Sequence, residues 1–349
     1  MRNVSIIGLA ACLIMGCGSP ESDIAEAQPL GIPFERDIHG FAWLDDGTVI
    51  VSTYPDTVAF WGPGGAITEL RPITPTELGC RVVSYGGPVK LSSGAVGIVR
   101  ACHRDGSAVT PGYLLHLVEL DLASGNTREI VQAAPVVRER KYGKPEKDYT
   151  TSEIPWSTER QSAFIMIEGS ICTTIAELKP DGVHFLDVVV GDGDNQWNLG
   201  TDGPEDPATC ERGGRANAPA VSPAGERVAF FASVVSGVEG PDRIGASGSL
   251  YLTNLEFEDP TPVIGGLTYV QSVVWLDEHR LAISAETLDG AEGPGLWLVD
   301  TRTGNSTKLF DNTLDSLTLS PSGDELAGVD RVKGTPDRLI KFAIPPRPS

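Results

Sequence analysis

The run Asp192-Gly-Asp-Asn-Gln-Trp-Asn, followed by Asp202, Glu205 and Asp206, places oxygen donors at alternate positions. That spacing of carboxylates and amides suits a hard cation such as Ca2+. An EF-hand loop needs Gly at the sixth position and a bidentate Glu at the twelfth, and Trp197 and Gly203 stand there instead. The run therefore reads as a solvated acidic loop, with Ca2+ as the sharper alternative. Asp192, Asp194 and Trp197 are kept as candidate binding residues. No other cofactor is expected.

Other chemistries find less. Of the histidines, His116 and His184 fall inside strand patterns and His279 inside a turn pattern, while His39 and His103 stand beside loops. No His-Glu-x-x-His pair is present for zinc, and no Gly-x-Ser-x-Gly elbow for a serine nucleophile. No Gly-rich phosphate loop opens a helix. The segment 132–152 carries Arg138, Arg140, Lys141, Lys144 and Lys147 beside Glu139, Glu146 and Asp148, a mixed-sign stretch that reads as solvated. His39 and His103 are the two histidines worth testing, and no catalytic or metal-ligating set is assigned.

The elements that must carry these residues follow from composition and repetition. The 349 residues include 40 Gly and 26 Pro, so turns are many and long helices few. With 47 acidic against 27 basic side chains the net charge is −20, which excludes a sequence-independent grip on nucleic acid. Four segments repeat an apolar strand, a turn and a second apolar strand. They are Phe41-Ala-Trp-Leu-Asp-Asp-Gly-Thr-Val-Ile-Val, Pro219-Ala-Val-Ser-Pro-Ala-Gly-Glu-Arg-Val-Ala-Phe, Val273-Val-Trp-Leu-Asp-Glu-His-Arg-Leu-Ala-Ile and Leu317-Thr-Leu-Ser-Pro-Ser-Gly-Asp-Glu-Leu-Ala. Weaker copies begin at Val89 and Ile154. The apolar anchors are Trp43, Leu91, Trp156, Val221, Trp275 and Leu319. A second hairpin follows most copies, giving four strands per unit.

Six such units predict an all-β chain: a six-bladed β-propeller of four-stranded antiparallel blades spanning residues 32–345. The sixth unit lacks a fourth strand, and Gly31 to Ile38 is the candidate to close it. A seventh blade hidden in the longer intervals, or a two-sheet sandwich, are the competing folds. The tryptophans of the repeat are read as packing between blades. The copies Ser222-Pro-Ala-Gly-Glu-Arg-Val-Ala-Phe and Ser320-Pro-Ser-Gly-Asp-Glu-Leu-Ala resemble the repeat of TolB-type propellers. The resemblance covers about residues 39 to 345, implies architecture alone, and departs from TolB in lacking a recognisable N-terminal α/β domain.

The first residues point to export. Arg2 precedes an apolar run from Val4 to Met15, too short to span a bilayer, and Gly16-Cys17 ends it. This resembles the lipobox of bacterial lipoproteins. The resemblance implies a signal peptide over residues 1–16, a diacylglycerol thioether on Cys17 and a flexible tether over 17–31. Gly18, where an inner-membrane retention Asp would stand, implies the outer membrane in a double-membraned bacterium.

In an oxidising compartment the remaining cysteines, Cys80, Cys102, Cys172 and Cys210, are expected to pair. Three connectivities exist, and loop positions in the propeller reading favour Cys80 with Cys102 and Cys172 with Cys210. Zinc is disfavoured because no Cys-x-x-Cys pair occurs. The long connections 102–111, 234–247, 286–293 and 330–336, with the connectors 132–152 and 191–217, all fall on one rim, where binding is expected. The expectation is a monomeric, lipid-anchored, non-catalytic binding or protein-interaction module, its ligand or envelope partner unidentified. The alternative is a metal-dependent propeller enzyme of the lactone-hydrolase or cyclase type, with carboxylates and His converging on the channel.

Overall fold

Segments such as Val49-Ile-Val-Ser-Thr, a β-branched run, and Arg280-Leu-Ala-Ile-Ser-Ala, which alternates long apolar with small side chains, have the chemistry of buried antiparallel strands. A computed structural model of the chain describes residues 28–29, 38–53, 57–61, 67–72, 81–91, 95–103, 112–121, 127–137, 156–157, 160, 162–168, 173–186, 188–190, 197–198, 214–234, 247–288, 293–332 and 334–346. Among these the regular elements are all strands.

β1 is Gln28–Pro29. β2 (Ile38–Trp43), β3 (Val49–Thr53), β4 (Thr57–Trp61) and β5 (Ile67–Pro72) form one antiparallel sheet. β6 (Arg81–Lys90), β7 (Val96–His103), β8 (Gly112–Leu120) and β9 (Thr127–Val137) form the next. β10 (Trp156–Ser157), β11 (Ser162–Glu168), β12 (Thr173–Lys179) and β13 (Gly182–Phe185) pair in order, and β14 (Val189–Val190) pairs with β15 (Trp197–Asn198). β16 (Gly214–Val221), β17 (Arg227–Val234), β18 (Gly248–Asn254) and β19 (Thr261–Leu267) pair in order, and one parallel bridge, Thr173 to Arg215, joins this group to β12. β20 (Ser272–Asp277), β21 (Arg280–Ala285), β22 (Gly295–Asp300) and β23 (Ser306–Phe310) form another sheet. The last has the order β1-β26-β25-β24, with β24 (Asp315–Leu319), β25 (Glu325–Asp330) and β26 (Arg338–Ala343).

The cores lie between sheets. One cluster joins Phe231 and Leu250 to Trp275, Ile283 and Trp297 across the β16–β19 and β20–β23 sheets. A second joins Leu276 and Leu296 to Leu326 and Phe342, and a third joins Val329 and Leu339 to Phe41, Trp43 and Val51. A fourth joins Ala42 and Ile50 to Val96, Ile98 and Leu120. The sheets β2–β5, β20–β23 and β24–β26 are thus apolar on both faces, each face buried against a different neighbour. The first strands meet one another, β2 touching β6 and β24, and β20 touching β16 and β24. Sheets packed face to face around an axis, with their first strands innermost, make a β-propeller.

The last sheet is closed by an N-terminal strand, at a different place from the one expected. β1 pairs antiparallel with β26, Gln28 opposite Lys341 and Pro29 opposite Ile340, so the described closing residues fall within the expected tether. Geometry accommodates this. A chain that covers the outer edge of one sheet must then cross the width of four strands, about 14 Å at ~4.8 Å per strand, before it can begin the innermost strand of the next. Ile38 already belongs to that strand, opposite Thr53. Pro29, which has no N–H to donate, is tolerated because β1 is an edge strand.

Candidate functional site

Antiparallel order sorts the connections onto two faces. Turns between first and second strands (44–48, 91–95, 222–226, 278–279, 320–324) and between third and fourth strands (62–66, 121–126, 180–181, 255–260, 301–305) lie on one face and are short. Connections between second and third strands and the links that lead from one unit to the next leave from the other, where 104–111, 235–247, 286–294, 331–337, 138–155 and 199–213 are long and 54–56, 169–172, 268–271 and 311–314 are short.

On the turn face the repeat motif is local hydrogen-bonding chemistry. Ser222 Oγ accepts from Arg227 N at 3.2 Å, and Ser320 Oγ from Glu325 N at 3.0 Å. Asp46 Oδ1 accepts from Thr48 N at 2.9 Å, and Asp277 Oδ1 from His279 N at 2.9 Å. Asp300 accepts from Arg302 Nη2 at 3.0 Å and Arg302 N at 2.9 Å, which hold its carboxyl down to about 2. Short oxygen-bearing side chains satisfy the turn backbone in these places.

The backbone bonds Leu44 N to Thr48 O, Leu91 N to Ala95 O, Ser222 N to Arg227 O and Ser320 N to Glu325 O, each 2.8 Å, align the copies. They make Lys90, not Leu91, the counterpart of Trp43, Val221 and Leu319. These positions, with Trp275, contribute to the lining of a cavity of about 410 Å³ between the first strands β2, β6, β16, β20 and β24. Among the described residues its lining consists of Phe, Trp, Val, Leu, Ala, Pro, Ser and Thr with one cation, Lys90, and carries no carboxylate, imidazole or thiol. Lys90 Nζ bonds Asp45 of the neighbouring sheet, an exposed pair of little energetic weight.

Two of the repeat tryptophans are structural. Trp275 Nε1 donates to Ala220 O at 2.9 Å across the sheet boundary, and the Arg227 guanidinium lies 5.0 Å from its ring centre. Trp43 is buried in the cluster that joins the last and first sheets. Packing between sheets therefore accounts for both. Trp156 lies in β10.

The long-connection face carries a polar latch that the sequence did not reveal. Asp337, in the connection after β25, accepts the Ile38 N–H at 2.8 Å, and Arg331 Nη2 donates to Ile38 O. Arg331 Nε also lies 3.1 Å from Asp315 Oδ2 and 3.5 Å from Asp337 Oδ2. Burial pushes the Asp315 carboxyl up, Arg331 pulls it back and Asp337 adds to the rise. Both backbone groups of Ile38, the first residue of the innermost strand of the first sheet, are thus held by the last sheet. A second network ties neighbouring units on the turn face. Glu177, fully buried, accepts from Ser162 Oγ and pairs with Arg160 at 2.8 Å and Lys179 at 2.9 Å, while Arg160 Nη1 reaches Leu255 O at 3.1 Å.

The candidates named from sequence are placed as follows. His39 lies at the start of β2 and His103 ends β7, so both backbones sit at the long-connection ends of their strands. Trp197 lies in β15, opposite Val190. Cys102 lies in β7, opposite Val82 and Leu114. Cys17, Cys80, Cys172, Cys210, Asp192 and Asp194 lie outside the described residues. Among the described residues no group of three His, Cys, Asp or Glu side chains is placed to hold a metal ion.

No family model and no curated protein matches the chain. Solved structures do. A glucose dehydrogenase is 12% identical with a TM-score of 0.53, the match covering 92% of this chain and 100% of that one. A putative TolB from Agrobacterium tumefaciens is 13% identical at 0.50, covering 89% and 92%. A gluconolactonase from Xanthomonas campestris is 11% identical at 0.50, covering 93% and 91%. At such identities the likeness is one of fold, and it makes the chain an all-β propeller.

Proposed function

We propose that this chain is an exported, lipid-anchored propeller of six four-stranded blades that acts as a non-catalytic binding module through its long-connection face. The sheets β2–β5, β6–β9, β10–β13, β16–β19, β20–β23 and β24–β26 with β1 are the six blades in this reading. The observation that carries the function is the asymmetry between the two faces. Turns on one face stay at two to six residues, whereas the longest connections gather on the other, where a rigid scaffold can present them to a partner. The competing reading, a metal-dependent enzyme, needs carboxylates and imidazoles converging on the axis. The axial cavity offers apolar, prolyl and hydroxyl side chains with one ammonium.

The test has two arms. Plasma mass spectrometry of the chain from Pro20 onward, purified without chelator and dialysed, reads any bound metal. In parallel, the connections 235–247 and 104–111 are each replaced by short Gly-Ser turns, and crosslinking is repeated in the native envelope. The binding reading expects a crosslinked partner that is lost with the connections while the circular dichroism of the sheets is kept. A stoichiometric divalent metal, with crosslinks unchanged by the replacements, would favour the enzyme.

A further inference from the structure

The register of the closing strand fixes where the chain's N-terminal segment leaves the propeller. β25 ends and β26 begins at the long-connection face, joined by 331–337, so β26 runs toward the turn face. Its far end is marked there by the bond from Ile344 N to Asp324 O of the turn 320–324. β1 is antiparallel to β26, with Gln28 opposite Lys341 and Pro29 opposite Ile340, and so runs the other way. The N-terminal end of β1, at Gln28, therefore lies toward the turn face. Everything after Pro29 leads to Ile38, which the Asp337 and Arg331 latch holds at the long-connection face.

From this we infer that the short-turn face is the one presented to the lipid surface and that the long-connection face points away from it. The inference rests on the proposed acylation of Cys17. A coil of eleven residues, the distance from Cys17 to Gln28, has a root-mean-square span of about 18 Å, near 5–6 Å times the square root of its length. A six-residue strand such as β26 is about 20 Å tall. An anchored Cys17 is thus reached most directly from the turn face, while turning the molecule over would make the segment double back along the full ~20 Å edge, about half of its extended length at ~3.3–3.6 Å per residue. The axial cavity, whose lining includes Pro223 and Pro321 of the turns, lies at the same membrane-facing end. The long connections, which the proposed function assigns to partner binding, are left free on the far side.

Energy transfer measures this directly. The full chain, processed and acylated in a bacterial host, is reconstituted into phosphatidylcholine vesicles carrying a headgroup-labelled acceptor lipid. A donor is attached through a non-natural side chain at Ala224 or Ser306 on the turn face, or at Tyr269 or Val332, which are 39% and 40% exposed, on the other. Transfer is expected to be severalfold stronger from Ala224 and Ser306 than from Tyr269 and Val332. Equal or reversed transfer from protein that floats with the vesicles would overturn the orientation alone. The Cys17→Ala variant should not float; if the unmodified chain also fails to float, the anchor reading falls and the orientation with it.

Discussion

Replacing Asp337 with Ala tests whether the latch on Ile38 closes the propeller. Asp337 Oδ2 accepts the Ile38 N–H at 2.8 Å, and Ile38 is fully buried. In the variant that donor is left without its acceptor at a residue packed into the cluster of Phe41, Val329 and Leu339. A buried hydrogen bond to a charged group contributes about 1.5–3 kcal/mol, and an orphaned donor costs about 1–3 kcal/mol, two views of one loss. The Arg331 pair adds little, because that side chain is 44% exposed and keeps Asp315 as a partner. The expected destabilisation is thus about 2–3 kcal/mol, or a fall in Tm of about 3–4 °C for a chain of this length. Urea unfolding of the soluble chain gives the free energy, and hydrogen exchange at Ile38 reports the site itself. Asp337→Asn, which keeps an acceptor oxygen, should recover part of the loss. A midpoint for Asp337→Ala within about 0.5 kcal/mol of the parent, with Ile38 still protected, would refute the reasoning.

Other expectations follow from single contacts. Trp275→Phe removes the donor to Ala220 O while keeping most of the ring, and should cost about 1–2 kcal/mol, read by urea unfolding. Gly248→Ala would place a Cβ 2.3 Å from Ala232 O in the paired strand and should destabilise by about 2 kcal/mol or more, whereas at Gly265 the nearest atom is 3.4 Å away and the same change should stay within about 0.5 kcal/mol. Asp315 has a carboxyl raised above 3.8 by burial, so its contribution to stability is present below that pH and is lost as pH rises through the folded value. Asp315→Asn should therefore gain relative to the parent between about pH 3.5 and 7, and a stability difference that moves the other way would show that Arg331 outweighs burial.

The hairpins were legible because their information is local. Ser222, Ser320, Asp46 and Asp277 bond backbone groups two to five residues away, so side-chain type and turn geometry appear together in the chain. Lys90 was misaligned by one residue because a cation stands where the other copies carry an apolar residue, and its long side chain can leave the axis to meet Asp45. The closing strand escaped notice because two residues, one of them Pro, carry no periodicity. The latch was invisible for a different reason. Asp337 and Arg331 lie 299 and 293 positions from Ile38, and nothing in the composition of either segment announces the other. Glu177 likewise is buried between Arg160 and Lys179, partners that its own sequence neighbourhood does not single out.

The two faces also differ in what their polar atoms have left to give. On the turn face, Asp46, Asp277, Asp300, Ser222 and Ser320 are already committed to the backbone of their own turns, and a partner would have to break those bonds to use them. Among the described residues, the buried side-chain atoms without a hydrogen-bond partner are Asn217 Oδ1, Ser233 Oγ, Asp330 Oδ1 and His279 Nδ1. The first three lie in the halves of β16, β17 and β25 nearer the long-connection face, and His279 lies in a turn. A buried polar atom without a partner is costly, and such atoms persist where something else completes them. These atoms are buried, so they bear on the interior and not on the surface offered to a partner. In the proposed binding reading it is the long connections that a partner would meet, while the short turns hold the scaffold.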